Sequence, residues 1–431
     1  MVDFDCCSYY SFVSLVFKRT TLLSFLKLTE IKKMTNNELR ALAECSRRGD
    51  ITGIAQIFAS ATNKAEFQDY ELNGTVSQLI RSQHYDVLDE FIDKGFISTD
   101  LYDYDRFSST VITALLKPQI STEEQLEAYL AWFKGYLERI DDINEEVAGT
   151  TLFEYAIQEN VSMALLKAIA EAGADLQRMD QYGQTLLFKV CNLRMQSADR
   201  IVELVEWLLS EGVDPNISNV EQKTALHMAV DTIKMPAVVK LLDAGADPGL
   251  KDWHGESVFH YAATRQFNPE LLELLLNYGV PDFHSTTKQG ENLLNAFLRT
   301  MHTDSDQNLK ILSMLLEHGA DFTEPSLWYQ KEKTGVDWLI EKSATVLQDV
   351  ISKGYLDVNY IDNEGNTLLH KVCQEQINYD ENKARDLYKK VKFLVAEGID
   401  PQIENSKDKK AVDYAMEDNL KVKTVEWLLK Q

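Results

Sequence analysis

Cysteine is scarce in this chain, five in 431 residues, and no C-x-x-C pair occurs among them. Cys6 and Cys7 are adjacent, while Cys45, Cys191 and Cys373 lie far apart. That excludes a disulfide framework, a zinc knuckle and a thioredoxin-type motif, and a reducing cytoplasm fits best. Basic residues are also in short supply: 44 Lys and Arg face 68 Asp and Glu, a formal net charge of -24. Such a chain repels phosphate backbones and anionic membranes and steers basic partners toward itself, which argues against nucleic acid as a partner. A membrane span needs about twenty apolar residues, and the uncharged run "CCSYYSFVSLVF" stops at Phe17. Asp3 and Asp5 precede it and no clear small-x-small cleavage site follows, so it does not read as a secretory signal. A phosphate-binding glycine loop, H-E-x-x-H and G-x-S-x-G are all missing, so no catalytic, cofactor-binding or metal-binding residue is assigned.

Residues 1–33 differ from the rest, with five Lys or Arg against three Asp or Glu and two of the five cysteines. They read as an extension upstream of a start at Met34, as a loosely attached amphipathic segment, or as a membrane tether. The tripeptides beginning at Asn73, Asn160 and Asn216 match the glycosylation pattern, which carries no meaning in a cytoplasmic chain.

What the chain has is a repeat. "GNTLLHKVC" (Gly365–Cys373) returns as "GQTLLFKVC" (Gly183–Cys191) with Phe188 in place of the histidine. Related strings begin at Gly149, Gln222, Gly255, Gly290, Gly335 and Asp408, giving eight copies spaced by 30 to 45 residues. Each is followed by an apolar helical stretch closing near a glycine: Gly173, Gly212, Gly245, Gly279, Gly319, Gly354 and Gly398. A glycine there suits a left-handed helix end, and a threonine opening the first helix suits an N-cap.

The frame resembles the ankyrin repeat, a unit of about 33 residues with a β-turn and two antiparallel helices. Asp180, Asp252 and Asp362 match the family's turn aspartate, and Thr151, Thr185, Thr224 and Thr367 its threonine. The proline of the frame never appears. The resemblance covers roughly 144–431, with fainter helix pairs at Leu42–Ser60, Val76–Gly95 and Val111–Asn144. The expected fold is all-α: an ankyrin-type α-solenoid of stacked helix-turn-helix units with short β-turn fingers. The expected domains are the 1–33 extension, divergent repeats over 34–143, and about eight units over 144–431. The Gly335 copy is the weakest.

The repeat also disposes of the apparent chemistry. The histidine seat holds Glu154, Phe188, His227, His260, Asn295, Ile340, His370 and Asp413 in turn, a mixture no shared catalytic role tolerates. The resemblance implies that its histidine bonds neighbouring loop backbone. Cys191 and Cys373 occupy a seat where the family has alanine, and a small buried thiol fits it. The string Arg48-Gly49-Asp50 reads as a turn between helices, not an adhesion signal. Surface is what remains. The family binds partners through its fingertips and the concave face of its first helices, which singles out Tyr182, Trp253, His254, Lys288, Asn363 and Glu364. Three insertions, at 192–200, 298–308 and 374–386, lengthen their units and form candidate contact ridges.

The expected function is a non-enzymatic, cytoplasmic, monomeric scaffold binding a protein partner with a basic surface. The alternative is a bacterial effector or immunity-type protein whose inhibitory or enzymatic activity is linked to the divergent N-terminal region.

Overall fold

A computed structural model describes residues 36–60, 69–108 and 110–431. The 1–33 extension, with Cys6, Cys7 and Met34, lies outside the described residues. The chain divides into two compact units, one running to Leu176 and the other starting at Gln177. The boundary expected near 143 falls within the first of them.

The first unit is made of helix pairs: α1 (Asn36–Arg48) and α2 (Ile51–Ser60), α3 (Asp69–Arg81) and α4 (Tyr85–Asp93), α5 (Val111–Leu116) and α6 (Glu123–Glu138), α7 (Leu152–Gln158) and α8 (Met163–Glu171). The first helix of one pair packs on the first helix of the next, α1 on α3 and α3 on α5. Within the pairs, α1 packs on α2 and α3 on α4. Gly49, at φ +68°, turns α1 into α2, and Asp50 caps α2 by accepting the Gly53 N–H at 2.9 Å. Arg48-Gly49-Asp50 is a turn, as expected.

The second unit repeats the theme: α9 (Leu186–Asn192) and α10 (Ala198–Ser210), α11 (Ala225–Asp231) and α12 (Met235–Asp243), α13 (Val258–His260) and α14 (Pro269–Leu276), α15 (Leu293–Thr300) and α16 (Asp306–Glu317). A hairpin of β1 (Pro325–Trp328) and β2 (Lys331–Thr334) precedes α17 (Gly335–Ile340) and α18 (Ala344–Ser352). Then come α19 (Leu368–Gln374), α20 (Glu381–Ala396), α21 (Ala411–Ala415) and α22 (Val422–Leu428).

Helices of seven residues or fewer do not hold alone, because one or two turns cannot repay nucleation. Here they hold because both neighbours bury them. In α11, Ala225, Leu226, His227, Ala229 and Val230 are all buried. First helices stack on first helices (α9 on α11, α19 on α21) and second on second (α10 on α12, α18 on α20).

The last carbonyls of a short first helix still need donors, and long polar side chains of the next unit supply them. Lys234 Nζ donates to the carbonyls of Cys191 and, at 2.7 Å, Leu193. Gln266 reaches Asp231 O at 2.9 Å, Lys342 Met301 O at 2.9 Å, and Lys421 Cys373 O at 2.8 Å. Asn216 is likewise occupied: its amide donates to Gly245 O at 3.0 Å and its oxygen accepts the Asp247 N–H at 2.8 Å.

Two glycine readings change. Gly279 is not among the left-handed glycines; its merit is space, since a Cβ there would stand 3.1 Å from Pro248 Cγ. At the finger glycine the backbone is left-handed, as at Gly255 (φ +80°), yet Gln222 holds the same seat at φ +59°. A side chain with Cβ costs free energy in that region. Gln222→Gly should therefore raise stability by about 1 kcal/mol or less, seen as a higher urea midpoint, while Gln222→Ala should give no gain.

Candidate interaction surface

Five fingers of the second unit are each built around one polar side chain. Asp180 Oδ1 accepts the N–H groups of Tyr182 and Gln184, both at 2.9 Å. Asn219, Asp252, Asp362 and Asn405 do the same for the residues two and four places on. Burial pushes the Asp252 carboxyl up, but bonds from the Glu256 N–H, the Tyr261 hydroxyl and the His254 N–H outweigh it and hold the group below its ordinary value. The finger is closed by Asp252 N donating to Glu256 O at 2.9 Å.

Adjacent fingers are then tied backbone to backbone. Val220 N donates to Tyr182 O at 3.0 Å, Trp253 N to Glu221 O at 2.7 Å and Lys288 N to His254 O at 2.8 Å. The ladder goes on from Leu327 N to Gly290 O at 2.9 Å and from Ser406 N to Glu364 O at 2.9 Å. These bonds hold the tips in register before any partner arrives.

On this ladder the tip residues separate into groups. Tyr182 and Trp253 stand 56% and 55% exposed, large rings on rigid backbone. Lys288 Nζ lies 3.4 Å over the Trp253 ring, so Trp253, His254 and Lys288 form one patch on two neighbouring fingers. Tyr182 is one finger away from that pair, on the far side of Val220 and Glu221. Asn363 and Glu364 are exposed on a more distant finger, where Glu364 meets Lys407 at 2.8 Å.

Beside the Trp253 finger the first helix departs from α geometry. After α13 the chain passes through a π turn at Tyr261–Arg265, the kind of bulge that often marks a used surface. It places the Arg265 guanidinium 3.8 Å over the Tyr261 ring, and the Tyr261 hydroxyl donates to Asp252 at 2.8 Å. The inner helix and the finger are thus locked together.

The histidine seat performs one local task. His227, His260 and His370 each accept, through Nδ1, the N–H of the N-cap residue three places earlier at 3.2 Å. His370 also reaches the next finger, Nε2 to Lys409 O at 3.1 Å. Asn295 bonds Ser326 of the next hairpin at 2.6 Å. The cysteine seat is equally structural: Cys191 and Cys373 are fully buried, and burial pushes both thiols up to about 12.

One frame assignment is corrected. In the Gly335 copy the N-cap is Thr334, and Asp337 closes the capping box by accepting the Thr334 N–H at 2.8 Å. Asp337, not Ile340, holds the histidine seat; Ile340 belongs to the core. Gly335 takes the position of the missing proline, where a Cβ would stand 2.8 Å from Phe322 Cα.

A family model for ankyrin repeats, in three copies, matches residues 152–252. The chain carries ankyrin repeats. Among curated relatives of this ankyrin-repeat protein, the nuclear factor NF-kappa-B p105 subunit of Gallus gallus is 27% identical over 256 residues, 59% of this chain and 24% of that protein. Human B-cell lymphoma 3 protein is 26% identical over 230 residues, 53% of this chain and 46% of that protein. The matches thus span less than half the length of either relative. The crystal structure of the ankyrin repeat domain of Bcl-3 is 24% identical and covers 58% of this chain and 100% of that one, with a TM-score of 0.46. Among the described residues of the ankyrin-repeat protein, no helix is long and apolar enough to cross a membrane.

Two surface features escaped the sequence reading. The β1–β2 hairpin replaces a finger and carries Tyr329, 82% exposed, at its tip. Its turn residues Tyr329 and Gln330 have φ +47° and +64°, a turn that Asn-Gly would have announced and Tyr-Gln does not. The second feature is the set of lysines at the ends of the first helices, which look in sequence like any solvated charge.

Proposed function

We propose that this ankyrin-repeat protein is a non-enzymatic scaffold that binds another protein along its fingers and the inner helices behind them. The observation that carries the proposal is the pairing of Trp253 with Lys288 on a backbone ladder. A large ring stays half exposed on rigid backbone, so little conformational entropy is lost when a partner covers it. The net charge of -24 favours a basic partner surface, and such binding weakens as salt screens it. The proposed setting is a cytoplasmic monomer. The helix pairs of the N-terminal region favour this scaffold over an enzymatic effector, whose catalysis would need a pocket of convergent polar groups there.

The test is affinity capture from the native cell with wild-type protein and Trp253→Ala in parallel. A partner retained by wild type should bind Trp253→Ala at least about tenfold more weakly, the loss typical of a central aromatic contact. Its retention should fall as salt rises. Equal retention by both proteins, or indifference to salt, would overturn the proposal.

A further inference from the structure

The acidity of the whole protein hides one place where cations gather. A cleft of about 580 Å³ opens among the ends of α15, α17 and α19, all within the second unit, and residues of two insertions help to wall it. Arg299, Lys333, Lys342, Lys371 and Lys383 line it, against Asp337, Glu341 and Glu375. His302 and the amides of Gln374, Gln376 and Asn378 complete the polar wall, and Trp338 supplies a ring.

Most of these charges are already matched. Arg299 bonds Glu291 at 2.8 Å, Lys333 bonds Glu341 at 2.6 Å, and Lys371 bridges Asp337 at 2.8 Å and Asp362 at 2.9 Å. Glu375 is met at 3.0 Å by Lys390, which is buried behind the wall. Two lysines lie outside these ion pairs, though the Lys383 charge also acts on the Glu375 carboxylate. Lys342 spends one proton on Met301 O at 2.9 Å, and neither it nor Lys383 has a carboxylate within ion-pair distance among the described residues. The Trp338 indole N–H, buried in the same wall, has no acceptor among the described residues. Burial, with help from Lys333 and Lys390 and against the pull of Glu341, brings Lys342 down to about 8, which is the response of an ammonium lacking a counter-ion.

We propose that the cleft receives an acidic side chain of a bound polypeptide, its carboxylate held by Lys342 and Lys383. The inference rests on the scaffold proposal and deepens it, since a partner whose basic surface answers the bulk charge would carry one carboxylate placed for this cleft. Charge-assisted bonds to two ammonium groups fix register as well as affinity.

The test needs no natural partner, so it fails or succeeds independently of the capture experiment. The full chain, 15N-labelled on its tryptophans, is titrated at constant ionic strength with a capped tetraglutamate peptide, with tetraglutamine and with inorganic phosphate. The Trp338 indole resonance, assigned through Trp338→Phe, should move saturably with tetraglutamate and not with tetraglutamine. Lys383 is exposed, so Lys383→Glu should leave the urea midpoint unchanged while weakening the peptide about tenfold, the loss of one charged bond. No movement, equal movement with tetraglutamine, or an unchanged response in Lys383→Glu would overturn the proposal. Phosphate binding tighter than the peptide would also overturn it, by making the cleft a site for a free anion.

Discussion

Acidification from pH 7 to pH 4 should destabilise the centre of the repeat array through two buried histidines, ahead of the finger aspartates. His227 and His260 are buried, and burial brings each ring down to about 4. Around His227, Asp252 opposes this shift while Lys223 and Arg265 add to it. Lys251 and Arg265 add to it at His260, again against Asp252. A histidine in the unfolded chain titrates near 6.5. Between about 6.5 and 4 the unfolded chain therefore binds protons that the folded one refuses, so stability falls as pH drops through that window. Above it, both rings are neutral in both states and nothing is lost. Each ring contributes roughly 3 kcal/mol to the decline once the window has been crossed, a large share of the few kcal/mol that hold a domain together. The carboxyls of Asp180, Asp252 and Asp362 sit below their ordinary value of 3.8, so their loss begins only where the histidine window ends. Urea midpoints at pH 7, 5.5 and 4 measure the effect. His260→Asn, which installs the residue found at the same seat in Asn295, should be less stable at pH 7 but visibly flatter below 6.5. A wild-type midpoint that stays level down to pH 4 would refute the account.

The same histidines show what the sequence could and could not reveal. Their period was legible because the frame recurs, and the mixture of residues in the seat already ruled out shared chemistry. A structural role was legible too, but its partner was not: the resemblance implies neighbouring loop backbone, whereas each Nδ1 bonds the N-cap backbone of its own unit. In the Gly335 copy the frame lies three residues earlier than its glycine implies, because that glycine does not mark the turn. The N-cap rule, Thr334 followed three residues later by Asp337, is the stronger signal. The Trp253 and Tyr182 tips were legible as large rings where a finger offers little burial. The ladder beneath them was not, because backbone bonds between residues more than thirty places apart leave no mark on side-chain identity. The cation-lined cleft was hidden for a related reason. Its lysines come from units far apart in sequence, and each resembles the solvated lysines around it.

Lys390 is the extreme case of that concealment, and its removal should be among the most damaging single changes. In sequence it is one of two adjacent lysines on the charged helix α20, yet Lys389 is exposed while Lys390 is 2% exposed. Its ammonium donates to Ile340 O at 2.7 Å and to Glu375 at 3.0 Å, and lies 3.4 Å from Asp386. Asp386 in turn accepts the Ala344 N–H at 3.0 Å, so one cation joins the end of α17, the start of α18, the end of α19 and α20. Taking the charge out of water is costly, and removing one partner of a buried pair leaves the other uncompensated. Lys390→Met should therefore cost about 3–5 kcal/mol. Burial already pushes the Glu375 carboxyl above its ordinary value, with Lys390 partly restraining it. Without Lys390 that carboxyl should rise further and protonate, so the penalty of Lys390→Met should shrink as pH falls. Adding Glu375→Gln removes the stranded charge, and the double variant should recover a substantial part of the loss at pH 7. Urea unfolding of the two single variants and the double variant closes the cycle. Strict additivity, with no dependence of the Lys390→Met penalty on pH, would mean that Lys390 acts through its stem and the Ile340 carbonyl alone. Recovery in the double variant would assign the loss to the charge itself.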